Sequence, residues 1–309
     1  MKYNVAGVLY PSAPFDFEKS ISFLQSFKPT NNEQTYQGHR LTKAIELSSI
    51  RVIFSVYSTG TIQNPILQYE LYANDPISSS SQAEAEDRIT FFLSLKDDLT
   101  EFYARSERDN IFSPIMKQLY GYHQVKFLTP FENACWAVLS IRNPMKHAIN
   151  LKKAFMQTYG DKLYLDNTTY FTFPSPQKLI TINEDSLNNI VHNQTKANYL
   201  WHVIQAFYHM DEMALRSASY QEAYNQLIDI KGIGKWSADF ILLRGLGKME
   251  KLPFNEKVLN KSFEVLYSQA ASKITLGEIS RHYGKFVGYW AHYMRVAQNG
   301  SETTSSEGF

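Results

Sequence analysis

The sequence predicts an α+β protein in which a small sheet-containing domain precedes a longer helical domain. Up to about residue 110, helical segments alternate with stretches of alternating or β-branched apolar residues, which is the pattern of strands. Beyond that point almost every apolar stretch has helical spacing and ends at a glycine, a proline or a polar turn. We therefore predict a first domain over residues 1–112, a helical domain over 113–298 and a disordered tail over 299–309.

Composition and cysteine content narrow the class of protein. The chain has 309 residues, of which 44% are hydrophobic and 20% charged, values typical of a globular protein. Its apolar runs are too short for a membrane span and its first residues lack a secretory signal pattern, so we expect a cytoplasmic protein without a membrane partner. The single cysteine, Cys135, excludes an intramolecular disulfide, a thiolate zinc site and a four-cysteine iron–sulfur cluster.

The first domain is predicted to contain both helices and strands. Helical spacing in "PFDFEKSISFLQSF" predicts a short helix, and "LTKAIELSSIRVIFSVYS" and "PILQYELYAN" predict strands. A polar loop then leads into a helix in "PISSSSQAEAEDRITFFLSL". Residues 1–110 carry 10 basic and 14 acidic side chains, so this part is expected to support the helical domain rather than to meet a polyanion.

The second domain is predicted to consist of short helices with a mild basic excess. The helical segments are "FENACWAVLSI", "MKHAINLKKAFMQTYG", "SPQKLITI", "KANYLWHVIQAFYHM", "YQEAYNQLIDI", "KWSADFILLRGL", "NEKVLNKSFEVLYSQ" and "GKFVGYWAHYMRVAQ". From residue 111 onward the chain carries 21 basic and 16 acidic side chains, a balance that suits contact with phosphate. The histidines of this region lack zinc-protease spacing, so no divalent metal site is predicted.

A glycine-containing turn joins two of these helices and is a candidate phosphate site. Two glycines two residues apart permit positive φ and leave the backbone bare. The free N–H groups of the second helix suit a phosphate oxygen, the flanking lysines add charge, and the central isoleucine is expected to point inward. The candidate residues are Lys231, Gly232, Ile233, Gly234, Lys235 and Ser237. The turn does not follow a strand and lacks the third glycine of a dinucleotide site; a helix–turn–helix contact without ligand remains the alternative.

The sequence around this turn resembles a known family. "LIDIKGIGKWSADFILLRGLGKMEKLPFNEKV" is similar to the helix–hairpin–helix and Gly/Pro/Asp motif of base-excision DNA glycosylases, and most resembles 3-methyladenine DNA glycosylase II. The resemblance continues in "YPSAPFDFEKSISFL", "DDLTEFYARSERDNIFSPIMKQLYG", "TPFENACWAVLSI", "FPSPQKLITI" and "KFVGYWAHYM", and covers about residues 8–298. It implies a small antiparallel sheet domain with helices, followed by a helical domain that holds the active-site cleft.

The resemblance also implies a pocket for a damaged base that is flipped out of the duplex. Alkylated purines such as 3-methyladenine are cationic, and aromatic faces bind cations well. Trp236 stands where the group has a pocket tryptophan, and Phe240 lies one turn further on the same helix face. For both rings, simple filling of the hydrophobic core is the alternative.

The carboxylate that this chemistry requires is missing from its usual position. The family has an Asp two residues after a Pro, where it stabilises the positive charge that develops on the sugar. In "LPFNEKVL" that position is Asn255, which can cap a helix and hydrogen-bond but cannot carry negative charge. Glu256 is the less favoured substitute, because neighbours on a helix point about 100° apart. Lyases of the superfamily have their lysine at the position of Trp236, so Lys235 is one residue short for Schiff-base chemistry.

Two further positions differ from the family. "SIRNP", residues 140–144, replaces a Gly-Gln-Gln-like turn near the inserted wedge; Arg142 is a candidate to fill the gap left by the flipped base or to contact a phosphate. Val287 stands where an arginine is common. With Asn255, these changes favour weakened or lost catalysis.

We therefore predict a monofunctional DNA glycosylase that removes alkylated purines hydrolytically. The alternative is a catalytically impaired relative that binds damaged DNA without cleaving it. A transcription regulator fits poorly, because the Gly-Ile-Gly turn favours backbone contact without base readout. We expect a monomer of a bacterial-type cytoplasm, associated with the nucleoid when bound to double-stranded DNA with damaged bases. The resemblance implies no cofactor beyond a monovalent cation held by hairpin carbonyls.

Overall fold

The computed structural model describes residues 1–31, 33–252, 257–267 and 274–301. Its first part contains an antiparallel sheet in the strand order β1–β5–β4–β3–β2. The strands are β1 (Tyr3–Leu9), β2 (Gln34–Gln37), β3 (Arg40–Glu46), β4 (Arg51–Ser58) and β5 (Leu67–Ala73). The prediction of a small antiparallel sheet domain is therefore confirmed.

Helices cover one face of this sheet. They are α1 (Phe17–Ser26), α2 (Ser79–Phe92), α3 (Thr100–Glu107) and α4 (Ser113–Gln118). The central strand β4 is buried on both faces: Phe54 packs in the same core as Phe92 of α2, and Ile53 faces the opposite way. Because β4 is the hydrophobic centre of the sheet, its sequence is almost continuously apolar rather than alternating.

The rest of the chain is predominantly helical, as predicted. Its helices are α5 (Pro130–Ser140), α6 (Met145–Tyr159), α7 (Pro176–Leu179), α8 (Glu184–Val191), α9 (Gln194–His209), α10 (Glu212–Ser217), α11 (Tyr220–Ile228), α12 (Lys235–Ile241), α13 (Lys257–Tyr267), α14 (Leu276–Tyr283) and α15 (Val287–Ser301). A π-helical turn, Leu242–Leu246, prolongs α12. In the described part of the chain, no helix is long and apolar enough to cross a bilayer.

A β-hairpin that the sequence analysis did not predict interrupts these helices. Its strands are β6 (Lys162–Leu165) and β7 (Thr168–Phe171). Asp166 and Asn167 form the turn with φ of 46° and 60°, a conformation that Asp and Asn tolerate better than most residues. Leu163 and Tyr170 pack against the second face of the large sheet. The hairpin therefore belongs to the contact between the two parts of the molecule.

The two large hydrophobic cores do not follow chain order. The first contains the sheet, helices α1–α4 and residues of the C-terminal helices α13–α15, and the second contains helices α5–α12. Helix α15 continues to Ser301, three residues into the predicted tail. The boundaries after residues 112 and 298 stay predictions, while the packing joins both ends of the chain in one core.

A buried ion cluster joins the two parts away from these cores. Lys152 Nζ lies 2.5 Å from Glu33 Oε1 and 2.6 Å from Glu132 Oε1, and Lys43 Nζ lies 2.8 Å from Glu33 Oε2. Lys43 and Glu33 belong to the sheet region, whereas Glu132 and Lys152 lie on α5 and α6. Each of these four side chains is at least 90% buried, so their charges compensate one another where little solvent reaches them.

Candidate functional site

The predicted hairpin joins α11 to α12 and is shaped by Gly232. This residue has a φ of +100°, which glycine adopts without strain. A Cβ atom placed on Gly232 would lie 2.6 Å from both Cβ and Cγ of Tyr199 in α9. Ile233 is only 4% exposed and packs in the second core, as the sequence predicted. On its buried side, the turn is therefore held by Tyr199 and Ile233.

The other side of the hairpin is open. Gly234 is exposed, and a Cβ placed on it would meet no atom within 4 Å. It precedes α12 without any side-chain cap, so the first N–H groups of the helix are available to an acceptor. Lys231 and Lys235 are exposed beside it, whereas Ser237 is 5% exposed and does not join them. The arrangement suits a phosphate that approaches the backbone between the two lysines.

Arg142 lies at a second exposed turn, which follows α5. Its φ is +50°, a left-handed conformation that few residues with a side chain adopt. The turn is held by Asn143, whose Nδ2 donates to the Leu139 carbonyl at 2.8 Å, and by Lys196, whose Nζ donates to the Ile141 carbonyl at 2.5 Å. Burial lowers the pKa of Lys196. Its ammonium interacts with carbonyls at the negative end of α5, which are its natural partners.

The first turns of α9 connect the two exposed turns. Lys196 binds the turn that carries Arg142, and Tyr199, three residues further along α9, packs on Gly232 of the hairpin. A residue at i and one at i+3 share a helix face. Sequence reasoning missed both supporting residues, because nothing in "KANYLW" indicates which distant backbone it will meet.

Trp236 and Phe240 form an aromatic pair directly after the hairpin. Their rings stack with centroids 5.3 Å apart and an interplanar angle of 5°. Trp236 is 48% exposed, so it does not merely fill the core. Phe240 is half-buried and meets Phe127 edge to face at 6.2 Å, so part of its role is core packing. The pair presents a flat aromatic surface beside the open backbone of the hairpin.

One turn beyond Phe240 lies an arginine that sequence reasoning missed. Arg244 is 2% exposed, and its guanidinium carbon lies 4.7 Å and 4.5 Å from the ring centroids of Phe23 and Phe27. Burial lowers its pKa to about 10, with Tyr122 acting in the opposite direction, so the group is still cationic at neutral pH. None of its three side-chain nitrogens donates a hydrogen bond with usual geometry to a described residue.

Asn255 and Glu256 lie outside the described residues, and α13 begins directly after them at Lys257. Val287, where the family often has an arginine, is 2% exposed and packs in the first core. The described part of the site is therefore the hairpin, the Arg142 turn and the aromatic face that leads to Arg244.

Comparisons with known proteins find DNA glycosylases that are similar in sequence or in fold. No protein-family model matches the chain. DNA-3-methyladenine glycosylase of Bacillus subtilis is 26% identical over 286 residues, which are 91% of this chain and 93% of that protein. The solved 3-methyladenine DNA glycosylase of Archaeoglobus fulgidus superposes with a TM-score of 0.75 at 17% identity, over 97% of this chain and 100% of that one.

A third relative is solved with DNA. The Clostridium acetobutylicum 8-oxoguanine glycosylase/lyase, in complex with double-stranded DNA, has a TM-score of 0.67 at 17% identity and covers 98% of this chain and 100% of its own. The shared architecture is an antiparallel sheet domain followed by helices. In this chain, the glycine hairpin lies between α11 and α12, at the sequence motif that resembles the glycosylases. The chain therefore shares the fold of these solved DNA glycosylases and is similar in sequence to a DNA-3-methyladenine glycosylase over most of its length.

Proposed function

We propose that this protein removes alkylated purines from double-stranded DNA by hydrolysing the glycosidic bond. The observation that carries the proposal is the stacked, half-exposed pair of Trp236 and Phe240 immediately after the hairpin. Hairpin N–H groups and the two exposed lysines would hold the DNA backbone, which brings a flipped nucleotide next to these rings. An aromatic face attracts a cationic purine more than a neutral one.

The chemical step then depends on the leaving group. Cleavage builds positive charge on the sugar, and Asn255 can orient a water or a sugar oxygen by hydrogen bonding but cannot neutralise that charge. Loss of a general acid–base group typically lowers a rate by about 10²–10⁴-fold. A cationic purine is already a good leaving group, so slow hydrolysis of such lesions is compatible with Asn255. Neutral bases would be affected more.

Asn255 also favours a second candidate function, a protein that binds damaged DNA without cleaving it. The hairpin, the Arg142 turn and the aromatic pair support recognition, and none of them requires a carboxylate. Glu256 is the neighbouring carboxylate that would restore an enzyme if it faced the sugar. The two functions differ only in the chemical step, so the rate of base excision distinguishes between them.

A single-turnover excision assay tests the proposal. The native chain and the Asn255→Asp and Glu256→Gln variants would be incubated with a duplex that carries one alkylated purine, with strand nicking after alkali as the readout. Cleavage by the native chain supports the enzyme, and its loss in Glu256→Gln assigns the carboxylate. Cleavage by Asn255→Asp alone means that one residue silences a sound pocket. Binding without cleavage by any of them supports the damage-binding protein.

The remaining expectations belong to the same proposal. Lyase chemistry is not expected, because Trp236 occupies the position of the lyase lysine and Lys235 lies exposed one residue earlier. The carbonyls of Lys231, Gly232 and Ile233 accept no backbone hydrogen bond from the described residues, so they suit a monovalent cation that would neutralise phosphate charge at the hairpin. We expect a cytoplasmic monomer; light scattering with and without duplex checks the stoichiometry.

A further inference from the structure

The helix face that carries the aromatic pair ends at the buried guanidinium of Arg244, which forms no ion pair with a carboxylate of the described residues. Trp236, Phe240 and Arg244 follow one another at intervals of four residues, and their exposure falls from 48% through half-buried to 2%. Ring contacts continue along this path, since Phe127 meets Phe240 at 6.2 Å and Phe27 at 5.7 Å, and Arg244 lies over Phe27. A base that enters along this face would meet the rings first and the guanidinium last.

We propose that Arg244 reads the acceptor edge of the flipped base and selects damaged bases that carry a carbonyl, the 6-oxopurines above all. The proposal rests on the proposed function and narrows its substrate class. A buried cation that faces Tyr122 but no carboxylate among the described residues is costly to the free protein, and that cost is relieved when an acceptor arrives. A base that lacks acceptors would leave the guanidinium unpaired.

The surroundings of Arg244 offer it no permanent counter-charge. No carboxylate among the described residues forms an ion pair with it. Burial lowers the pKa of His292, with the charge of Arg244 as a second cause, and the ring Nε2 lies 3.0 Å from Tyr122 Oη. Arg216 is also buried over a phenyl ring. It differs from Arg244 because it forms ion pairs with Asp87 and Glu212.

The donor geometry of a guanidinium determines which base edge it prefers. Arginine presents N–H groups in a planar fork and typically binds O6 and N7 of guanine. Methylation at N7 leaves O6 as an acceptor, whereas 3-methyladenine has an amino group, a donor, at that position. Both methylated bases carry a positive charge, so a comparison between them holds the charge constant while the group at position 6 changes from an acceptor to a donor. 3-Methyladenine also keeps N7 as an acceptor, which 7-methylguanine lacks, so a preference for 7-methylguanine points to O6.

The experiment uses DNA treated with a methylating agent, which contains both lesions. The free bases released by the native chain, Arg244→Met, Arg244→Lys and the paired-arginine control Arg216→Met are separated and quantified. We expect the native ratio of 7-methylguanine to 3-methyladenine to fall about tenfold in Arg244→Met, since one good base-edge contact discriminates by about that factor. Arg244→Lys should be intermediate, and Arg216→Met should leave the ratio unchanged.

Stability measurements separate specificity from a purely structural role. If Arg244 is unpaired in the free protein, Arg244→Met should keep or raise the melting temperature, because replacing a buried charge by a well-packed apolar group is often stabilising. Arg216→Met should lower it. An unchanged base ratio in Arg244→Met, or a lower melting temperature together with an unchanged ratio in Arg244→Lys, would overturn the proposal.

A binding assay covers the case in which the native chain releases no base. That result would contradict the proposed hydrolysis, but the preference for one base over another could still be measured as a difference in binding. Fluorescence anisotropy would compare duplexes that carry hypoxanthine or adenine opposite an abasic-site analogue, so that base pairing does not differ. Tighter binding of hypoxanthine that is lost in Arg244→Met supports the role of Arg244, and equal binding by the native chain refutes it.

Discussion

The two glycines of the hairpin lie in opposite environments, which gives a matched pair of substitutions. Gly232→Ala places a methyl group 2.6 Å from Tyr199 and forces alanine to a φ of +100°. We expect it to lower the free energy of unfolding by about 2–4 kcal/mol. Gly234→Ala meets open space at ordinary φ, so its stability should change by less than about 1 kcal/mol. Urea denaturation of both variants measures these differences.

The same pair tests whether the open side of the hairpin binds phosphate. Because a methyl group on Gly234 would stand between the backbone and an approaching oxygen, Gly234→Ala should weaken binding to undamaged duplex even though the fold is intact. The measurement is a salt titration of duplex affinity. Equal affinity of native protein and Gly234→Ala would show that DNA does not contact this backbone.

Trp236 is expected to serve recognition more than stability. Its ring is 48% exposed and, among the described residues, stacks on Phe240 alone. Trp236→Ala should therefore change the free energy of unfolding by less than about 1 kcal/mol, while reducing the affinity for a cationic damaged base about tenfold. Tyr208, which is 39% exposed on the same domain, provides the control Tyr208→Ala. Competition between damaged and undamaged duplexes gives the ratio of the two affinities. If Trp236→Ala did not change this ratio, Trp236 would contribute to general DNA contact rather than to recognition of the damaged base.

At the scale of whole elements, the parts that local chemistry determines could be predicted from the sequence. The hairpin was predictable because two glycines, an inward isoleucine and flanking lysines act within a few residues of one another. Lys196 could not be identified, because its role depends on carbonyls more than 50 residues earlier in the chain. Arg244 resembled an ordinary arginine of an apolar helix, and only the packed rings of Phe23 and Phe27 show that it is buried.

The β6–β7 hairpin shows the same limit for secondary structure. Its strands are only four residues each, too short for hydrophobic periodicity to give a clear signal. Asp166 and Asn167 both tolerate the positive φ that a two-residue hairpin turn requires. This pair was the feature of the sequence that could have indicated the hairpin. What stabilises the hairpin is the far face of the large sheet, which is a tertiary contact.

Helix α9 is predicted to position the Arg142 turn through Lys196. Lys196→Met should loosen this turn, since the carbonyls of Leu139 and Ile141 lose an ammonium donor. If Arg142 acts on DNA, a double-mutant cycle with Arg142→Ala should give a coupling energy of about 1 kcal/mol in duplex affinity. Lys153→Met, which changes an exposed lysine of the neighbouring α6, is the control. Additive effects would mean that Lys196 supports stability without acting through Arg142.

For the whole molecule, the buried ion cluster joins the sheet region to the helical region. Lys152 is the central residue, since it contacts both Glu33 and Glu132. Lys152→Met leaves two carboxylates in a buried site, so we expect a loss of about 3–5 kcal/mol in the free energy of unfolding. The exposed neighbour change Lys153→Met should cost less than about 0.5 kcal/mol. Equal effects of the two substitutions, measured by chemical denaturation, would contradict a role for the cluster in joining the domains.

The cluster also predicts how stability depends on pH. Burial alone would raise the pKa of Glu33, but attraction to Lys152 and Lys43 outweighs it and holds the pKa below the ordinary value of 4.5. For Lys152, burial acts to lower the pKa, and attraction to Glu132 and Glu33 raises it above 10.5. A lowered acid pKa contributes stability above 4.5 that is lost as the pH falls through the folded value, and a raised lysine pKa contributes stability below 10.5 that is lost as the pH rises.

The variant Glu33→Gln tests how the free energy of unfolding depends on pH in the acid range. Many carboxylates titrate in the same range, so the informative quantity is the difference in unfolding free energy between the native chain and the variant. We expect this difference to be constant between about pH 6 and 9, and to shrink below about pH 4.5, where Glu33 of the unfolded chain binds a proton while the folded Glu33 is still ionised. Urea denaturation across this range measures it. A difference that stayed constant down to pH 3 would show that folding does not lower the pKa of Glu33, and would contradict a net attraction of this carboxylate to Lys152 and Lys43.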